Sequence, residues 1–159
     1  MSMPLEQWQE RLEGHFTQLA ASRAQFGLPL FALEHGLAEA DIQELDRLLC
    51  SRMRNGRASR SLWLAWVVLA TEYGYGYDGG EYWHPIEART GRWDPYHRRQ
   101  LRVWFQTFQK SYGGVVPTGP WAEWFSIIAW PITHSILPKY LQCQLARMLY
   151  DLRYRLGKR

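Results

Sequence analysis

Apolar residues recur along this chain at three- and four-residue intervals, and that rhythm predicts helices almost throughout. Leu5, Trp8, Leu12, Phe16, Leu19 and Phe26 share one face of a first helix, with Glu10, Arg11, Gln18 and Arg23 available for the other. Gly27 and the following Leu28-Pro29 close it. A second helix is predicted from Ala38 to Met53, striped by Ile42, Leu45, Leu48 and Leu49, and stopped by Asn55-Gly56. A third, Ser61 to Tyr73, is apolar on nearly every side, which places it in the middle of the fold with the others around it. Gly74 to Gly80 holds four glycines in seven positions and reads as a loop, followed by a short helix over Glu81 to Ala88.

Asp94-Pro95 is an explicit start signal, an N-cap followed by proline at the first helical position. The helix it opens turns Leu101, Trp104, Phe105, Phe108 and Tyr112 inward and stops at Gly113-Gly114. Thr118-Gly119-Pro120 starts another, which Pro131 ends or kinks. Pro138 opens the last, striped by Leu141, Leu145, Met148, Leu149, Leu152 and Leu156. No strand is predicted, Val115-Val116 being too short to count. The expected architecture is all-α, a single compact domain over 1–159 with about seven helices and an aromatic-rich core.

Composition sharpens this picture in one respect. The chain of 159 residues carries nine Trp and nine Tyr, and aromatic residues make up 15%. Each buries a large area, so packing in one well-anchored core is the ordinary use for them, and a stacking or partner surface the alternative. Cys50 and Cys143 match no metal spacing and fall inside predicted helices, as reduced, half-buried core residues of a cytosolic protein would. Met1 to Glu6 has no basic region followed by an apolar run, so no signal peptide is expected. The most apolar stretch, Leu62 to Ala70, is far too short to span a bilayer. Leu152 to Arg159 is charged and uncapped, compatible with a natural end or with the N-terminal domain of a longer protein.

The chemistry-bearing residues form two kinds of group. In the first, Glu72, Asp78, Glu81 and Glu87 cluster in sequence with His84 among Tyr75, Tyr77, Tyr82 and Trp83. His84 and Glu87 stand three apart, as metal ligands or an acid–base pair on a helix do, which makes Asp78, Glu81, His84 and Glu87 the candidate set for a metal-dependent nuclease or hydrolase. No His-Glu-x-x-His motif and no second ligand pair accompany them. The competing expectation is a glycine-shaped loop whose carboxylates cap helices or pair with arginine. A phosphate cradle at Tyr75 to Gly80 is excluded, since no strand precedes it and acids flank it. His134, between Pro131 and Pro138, and His15, beside Phe16, are expected to be structural. No cofactor is expected.

The second kind is basic. Net charge is +4. Arg47, Arg52, Arg54, Arg57 and Arg60 crowd the second helix and its turn; Arg89, Arg92, Arg98, Arg99 and Arg102 surround the Asp94 start; Arg147, Arg153, Arg155, Lys158 and Arg159 end the chain. Arginine suits bidentate contact with phosphate. Arg52, Arg54, Arg57, Arg60, Arg92, Arg98, Arg99 and Arg102 are therefore the candidate nucleic-acid contacts. No known DNA-binding motif supports sequence-specific readout. The aromatic and acidic set Tyr75, Tyr77, Asp78, Tyr82 and Trp83 suits a protein partner better.

Three segments, Ala70–Trp83, Phe108–Gly119 and Ile128–Pro138, together resemble the N-terminal region of large bacterial proteins of anti-phage defence islands, of the Druantia type that sit beside a very large helicase. The Trp-Pro-x-Thr-His run from Trp130 to His134 is its most specific element, and the similarity spans about Phe31 to Arg153. Those proteins are many times longer, so the resemblance implies an N-terminal domain or a short relative and assigns no catalytic residue. The function it implies is a non-enzymatic, cytoplasmic helical module docking onto DNA, a helicase or another defence protein. A purely structural scaffold is the remaining alternative.

Overall fold

The computed structural model describes residues 3–25, 30–56, 58–75, 83–91 and 93–114. Five α-helices span them: α1 (Leu5–Ala24), α2 (Glu39–Arg54), α3 (Trp63–Tyr75), α4 (Trp83–Thr90) and α5 (Pro95–Tyr112). Short 3-10 turns, Ala32–Glu34 and Arg60–Leu62, precede α2 and α3. Among the described residues there is no strand, only one isolated parallel bridge between Leu30 and Gly114. The described part is all-α. The two helices predicted beyond Thr118 lie outside it.

α3 occupies the centre. Leu64 to Ala70 is buried without a break, because this helix packs against all four others and has no face left for water. Of the predicted stripes, Leu5, Trp8, Leu12 and Phe16 from α1, Ile42, Leu45 and Leu49 from α2, and Leu101, Trp104, Phe105 and Phe108 from α5 are buried around it. Leu19, Leu48 and Tyr112 are half-buried, Phe26 lies outside the described residues, and Met53 joins the α2 face. Packing is the main use of the aromatics among the described residues. Trp8, Trp66, Trp93 and Trp104 are all buried, and Phe16 meets Phe108 edge-on with ring centres 5.0 Å apart.

Helix boundaries differ from the sequence expectation by a residue or two, α1 ending at Ala24 and α3 beginning at Trp63, after a 3-10 turn, rather than at Ser61. α3 runs on through Gly74 and Tyr75 rather than ending at Tyr73. A helical glycine costs about 1 kcal/mol relative to alanine. The last two turns are held from outside the helix, by Glu72 bonded to His35 and Tyr73 bonded to Asp46, and these contacts outweigh that cost. α4 lies two residues later than predicted, ending where Thr90 donates to the Ile86 carbonyl at 2.6 Å.

α5 starts and stops as its signals require. Asp94 accepts the His97 N–H at 3.0 Å, Pro95 takes the first helical position, and Gly113 closes the helix at φ +66°. Gly114 is needed for a different reason. A Cβ there would stand 2.3 Å from the buried Phe108 ring.

Candidate nucleic-acid interface

α5 is anchored through its inner face, so its outer face is set by spacing. Arg99, Val103, Gln106 and Lys110, at i, i+4, i+7 and i+11, are all exposed, and Arg102 and Gln109 flank them. Val103 is 50% exposed, an apolar residue in the middle of a polar face. From Pro95 to Tyr112 the helix contains no Asp or Glu.

α3 and α4 each hold a glutamate further along, although their first turns, like that of α5, carry no acid. α1 carries Glu6 in its first turn and α2 carries Glu39 and Asp41, matching the positive end of the helix dipole. α5 has no acid in its first turn and places Arg98 and Arg99 immediately after it. Asp94, the cap itself, and Glu87, which pairs with Arg98, are carboxylates at that end. The His97 N–H holds the Asp94 carboxyl below the ordinary range, so it is ionised at neutral pH.

Several other arginines among the described residues have structural employment, while Arg47 and Arg60 stand exposed. Arg11 pairs with Asp41 at 3.2 Å and lies over the Trp8 ring. Arg23 pairs with Glu34, Arg89 with Asp46 across α4 and α2, and Arg98 with Glu87 across α5 and α4. Arg52 reaches Glu6 at 3.3 Å. Arg52 and Arg54 also sit in the last turn of α2, where cations complement the dipole.

The eight candidate arginines therefore divide. Arg52, Arg54 and Arg60 stand at the end of α2 and the turn after it, Arg98, Arg99 and Arg102 on α5, and Arg57 and Arg92 outside the described residues. α2 packs on α1, α3 and α4, and α5 on α3 and α1, so the two groups are carried by separate helices.

The acidic cluster is not assembled in the described part. Asp78, Glu81, Tyr77 and Tyr82 lie outside it, and of Tyr75, Trp83 and His84 only the helical backbone is described. Glu87 is taken by Arg98, as the structural expectation for these carboxylates had it, whereas Glu72 bonds a histidine, His35, rather than an arginine. No group of three or more His, Cys, Asp or Glu suited to a metal ion occurs among the described residues. Likewise, no helix among them is long and apolar enough to cross a membrane.

Three polar features escaped the sequence. His35 is buried; its Nδ1 accepts the Leu37 N–H at 3.0 Å, so Nε2 carries the proton and donates it to Glu72 at 2.6 Å. Asp46 accepts from the Tyr73 hydroxyl, from Arg89 and, at 3.1 Å, from the Cys50 thiol, joining three helices. Burial pushes the Cys50 thiol up to about 11, which leaves it protonated at neutral pH and poor as a nucleophile. Gln9, on α1, is buried and bonds the start of α3. None carries a motif, because each is completed by at least one partner 27 to 56 residues away.

Compared with family models, curated proteins and solved structures, the chain matches none.

Proposed function

We propose that this chain is a non-enzymatic docking module of a bacterial anti-phage defence system, working in the cytoplasm and contacting nucleic-acid phosphates through α5. It is a single domain of about seven helices, as the hydrophobic pattern beyond Thr118 predicts. The defence context rests on the resemblance of its three segments to Druantia-type proteins, whose partner is a helicase. Phosphate contact rests on one observation: Arg99, Arg102 and Lys110 stand exposed on a helix that contains no acidic residue. A basic face without interspersed acids is the electrostatic footprint that phosphate contact requires.

The mechanism is contact and positioning. Arg99, Arg102 and Lys110 neutralise phosphates, and counterion release supplies salt-dependent affinity. The aromatic and acidic set Tyr75, Tyr77, Asp78, Tyr82 and Trp83 is left for a protein partner. The metal-dependent hydrolase alternative loses ground, since Glu87 is already neutralised by Arg98.

Fluorescence anisotropy with short duplexes at two salt concentrations tests this reading. Replacing Arg99, Arg102 and Lys110 by alanine should flatten the salt dependence by about two to three phosphate equivalents. Alanine at Arg52 and Arg54 should change it far less. Affinity indifferent to the triple substitution would overturn the assignment to α5.

A further inference from the structure

We propose that Asn55-Gly56, in the turn that closes α2, is a modification site at which the asparagine side chain deamidates spontaneously to aspartate and isoaspartate. Asn55 is the only asparagine in the chain, every other side-chain amide being a glutamine. It is the C-cap of α2 and exposed, and no hydrogen bond from another residue holds its side-chain amide. The inference stands independently of the docking function proposed above.

The chemistry needs only the chain and water. The Gly56 backbone nitrogen, giving its proton to solvent base, attacks the carbonyl carbon of the Asn55 side chain. A new C–N bond forms, the bond to the side-chain nitrogen breaks, and that nitrogen leaves as ammonia, so that a succinimide ring remains. Water opens the ring at one carbonyl to give aspartate, or at the other to give isoaspartate, in which the main chain runs through the former side chain. Nothing is oxidised or reduced. A glutamine carries one more methylene and must close a larger ring, a slower step, which concentrates deamidation at Asn55.

The turn gates the reaction. Asn55 stands at φ −92° and ψ −3°, and the Gly56 N–H donates to the Met53 carbonyl at 3.3 Å. That bond occupies the attacking nitrogen, so the turn must open first. It is long for its type and lies at a helix end, where opening takes little free energy. Glycine puts no side chain in the way of ring closure. The fold does not require it there, since Gly56 lies outside the left-handed region and a Cβ would meet only the Arg52 carbonyl, at an ordinary 3.8 Å. The product carboxylate follows Arg52 and Arg54 at the negative end of the α2 dipole, so conversion lowers the positive charge of this helix end and loosens its last turn.

Incubating the folded full chain in mildly alkaline buffer at physiological temperature, beside the same chain in denaturant until that sample is largely converted, provides the test. Ion exchange should resolve a more acidic form from the folded sample, and peptide mapping by mass spectrometry should place the change at Asn55, with isoaspartate in excess of aspartate. Conversion should be several-fold slower in the folded chain than in the denatured one, as a turn that must open requires. Asn55→Gln should yield no acidic form. Gly56→Ala, with its helical content checked by circular dichroism, should slow conversion several-fold, because the added methyl group crowds ring closure. A folded chain that stays unmodified throughout, an acidic form mapped to another residue, or an unchanged rate in Gly56→Ala overturns the proposal.

Discussion

The side-chain oxygen of Gln9 accepts the backbone N–H of Leu64 at 3.2 Å and, from the same position, that of Ala65 at 3.1 Å. The first N–H groups of any helix lack partners within it, and those of α3 are buried, where water cannot serve. α1 therefore caps α3. The Gln9 amide is oriented in turn by its own donation to Glu13 at 2.7 Å. Gln9→Ala leaves two buried donors unsatisfied and should cost about 1–3 kcal/mol. The urea midpoint reads this directly, and an unchanged midpoint would mean that the cap contributes nothing.

The ring of His15 fills the space a side chain at Gly36 would need, with Cε1 2.8 Å from the ideal Cβ position. The ring cannot easily give way, because Nε2 is tied to the Glu34 carbonyl at 2.5 Å. Gly36 also adopts φ +68°, which costs an ordinary residue about 1–2 kcal/mol. Gly36→Ala should thus be destabilising for two separable reasons. In the His15→Ala background only the backbone cost remains, so a double-mutant cycle should show a coupling of about 0.5–3 kcal/mol. Strict additivity would show that the clash relaxes freely.

Folding should weaken at alkaline pH. An exposed thiol loses its proton near 9.0, whereas burial holds the Cys50 proton to about 11. Between those values the unfolded chain has shed a proton that the folded chain keeps, so rising pH favours unfolding across that window. Burial raises Tyr73 as well and extends the loss upward. Urea midpoints measured from about pH 8 to about pH 11 should fall, and fall less steeply in Cys50→Ala. Alkylation mapped to Cys50 by mass spectrometry should be slow at neutral pH and fast after denaturation. Rapid labelling of the folded chain would contradict its burial.

Glu87 offers a gain-of-function test on the proposed interface. Its pair with Arg98 is partly exposed, with 33% and 38% of the two side chains accessible, so its loss should cost less than about 1 kcal/mol. Glu87→Gln removes the carboxylate that neutralises Arg98 beside Arg99. Duplex affinity should rise, and the salt dependence should steepen by about one phosphate equivalent. Weaker binding in this variant would count against phosphate contact on that flank.

Periodicity and punctuation determined much of this molecule without reference to its tertiary structure. The inward faces of α1, α2 and α5, the burial of α3 on all sides and the Asp94-Pro95 start are local properties, settled by side-chain spacing and backbone preference. The acid-free run of α5 was equally legible as residues, though its exposure was not. Tertiary structure decided which charges are spoken for. Arg98 and Arg99 are neighbours of one type, yet one faces Glu87 and the other is exposed. It also drew Gln9 into the core, gave Asp46 three donors, and carried α3 past Tyr73 onto a glycine. Hydrogen bonds and ion pairs act over about 3 Å and between chain segments of any separation. Sequence spacing reports only the neighbours within a few residues, so polar partnerships formed across the bundle appear only once the helices have met.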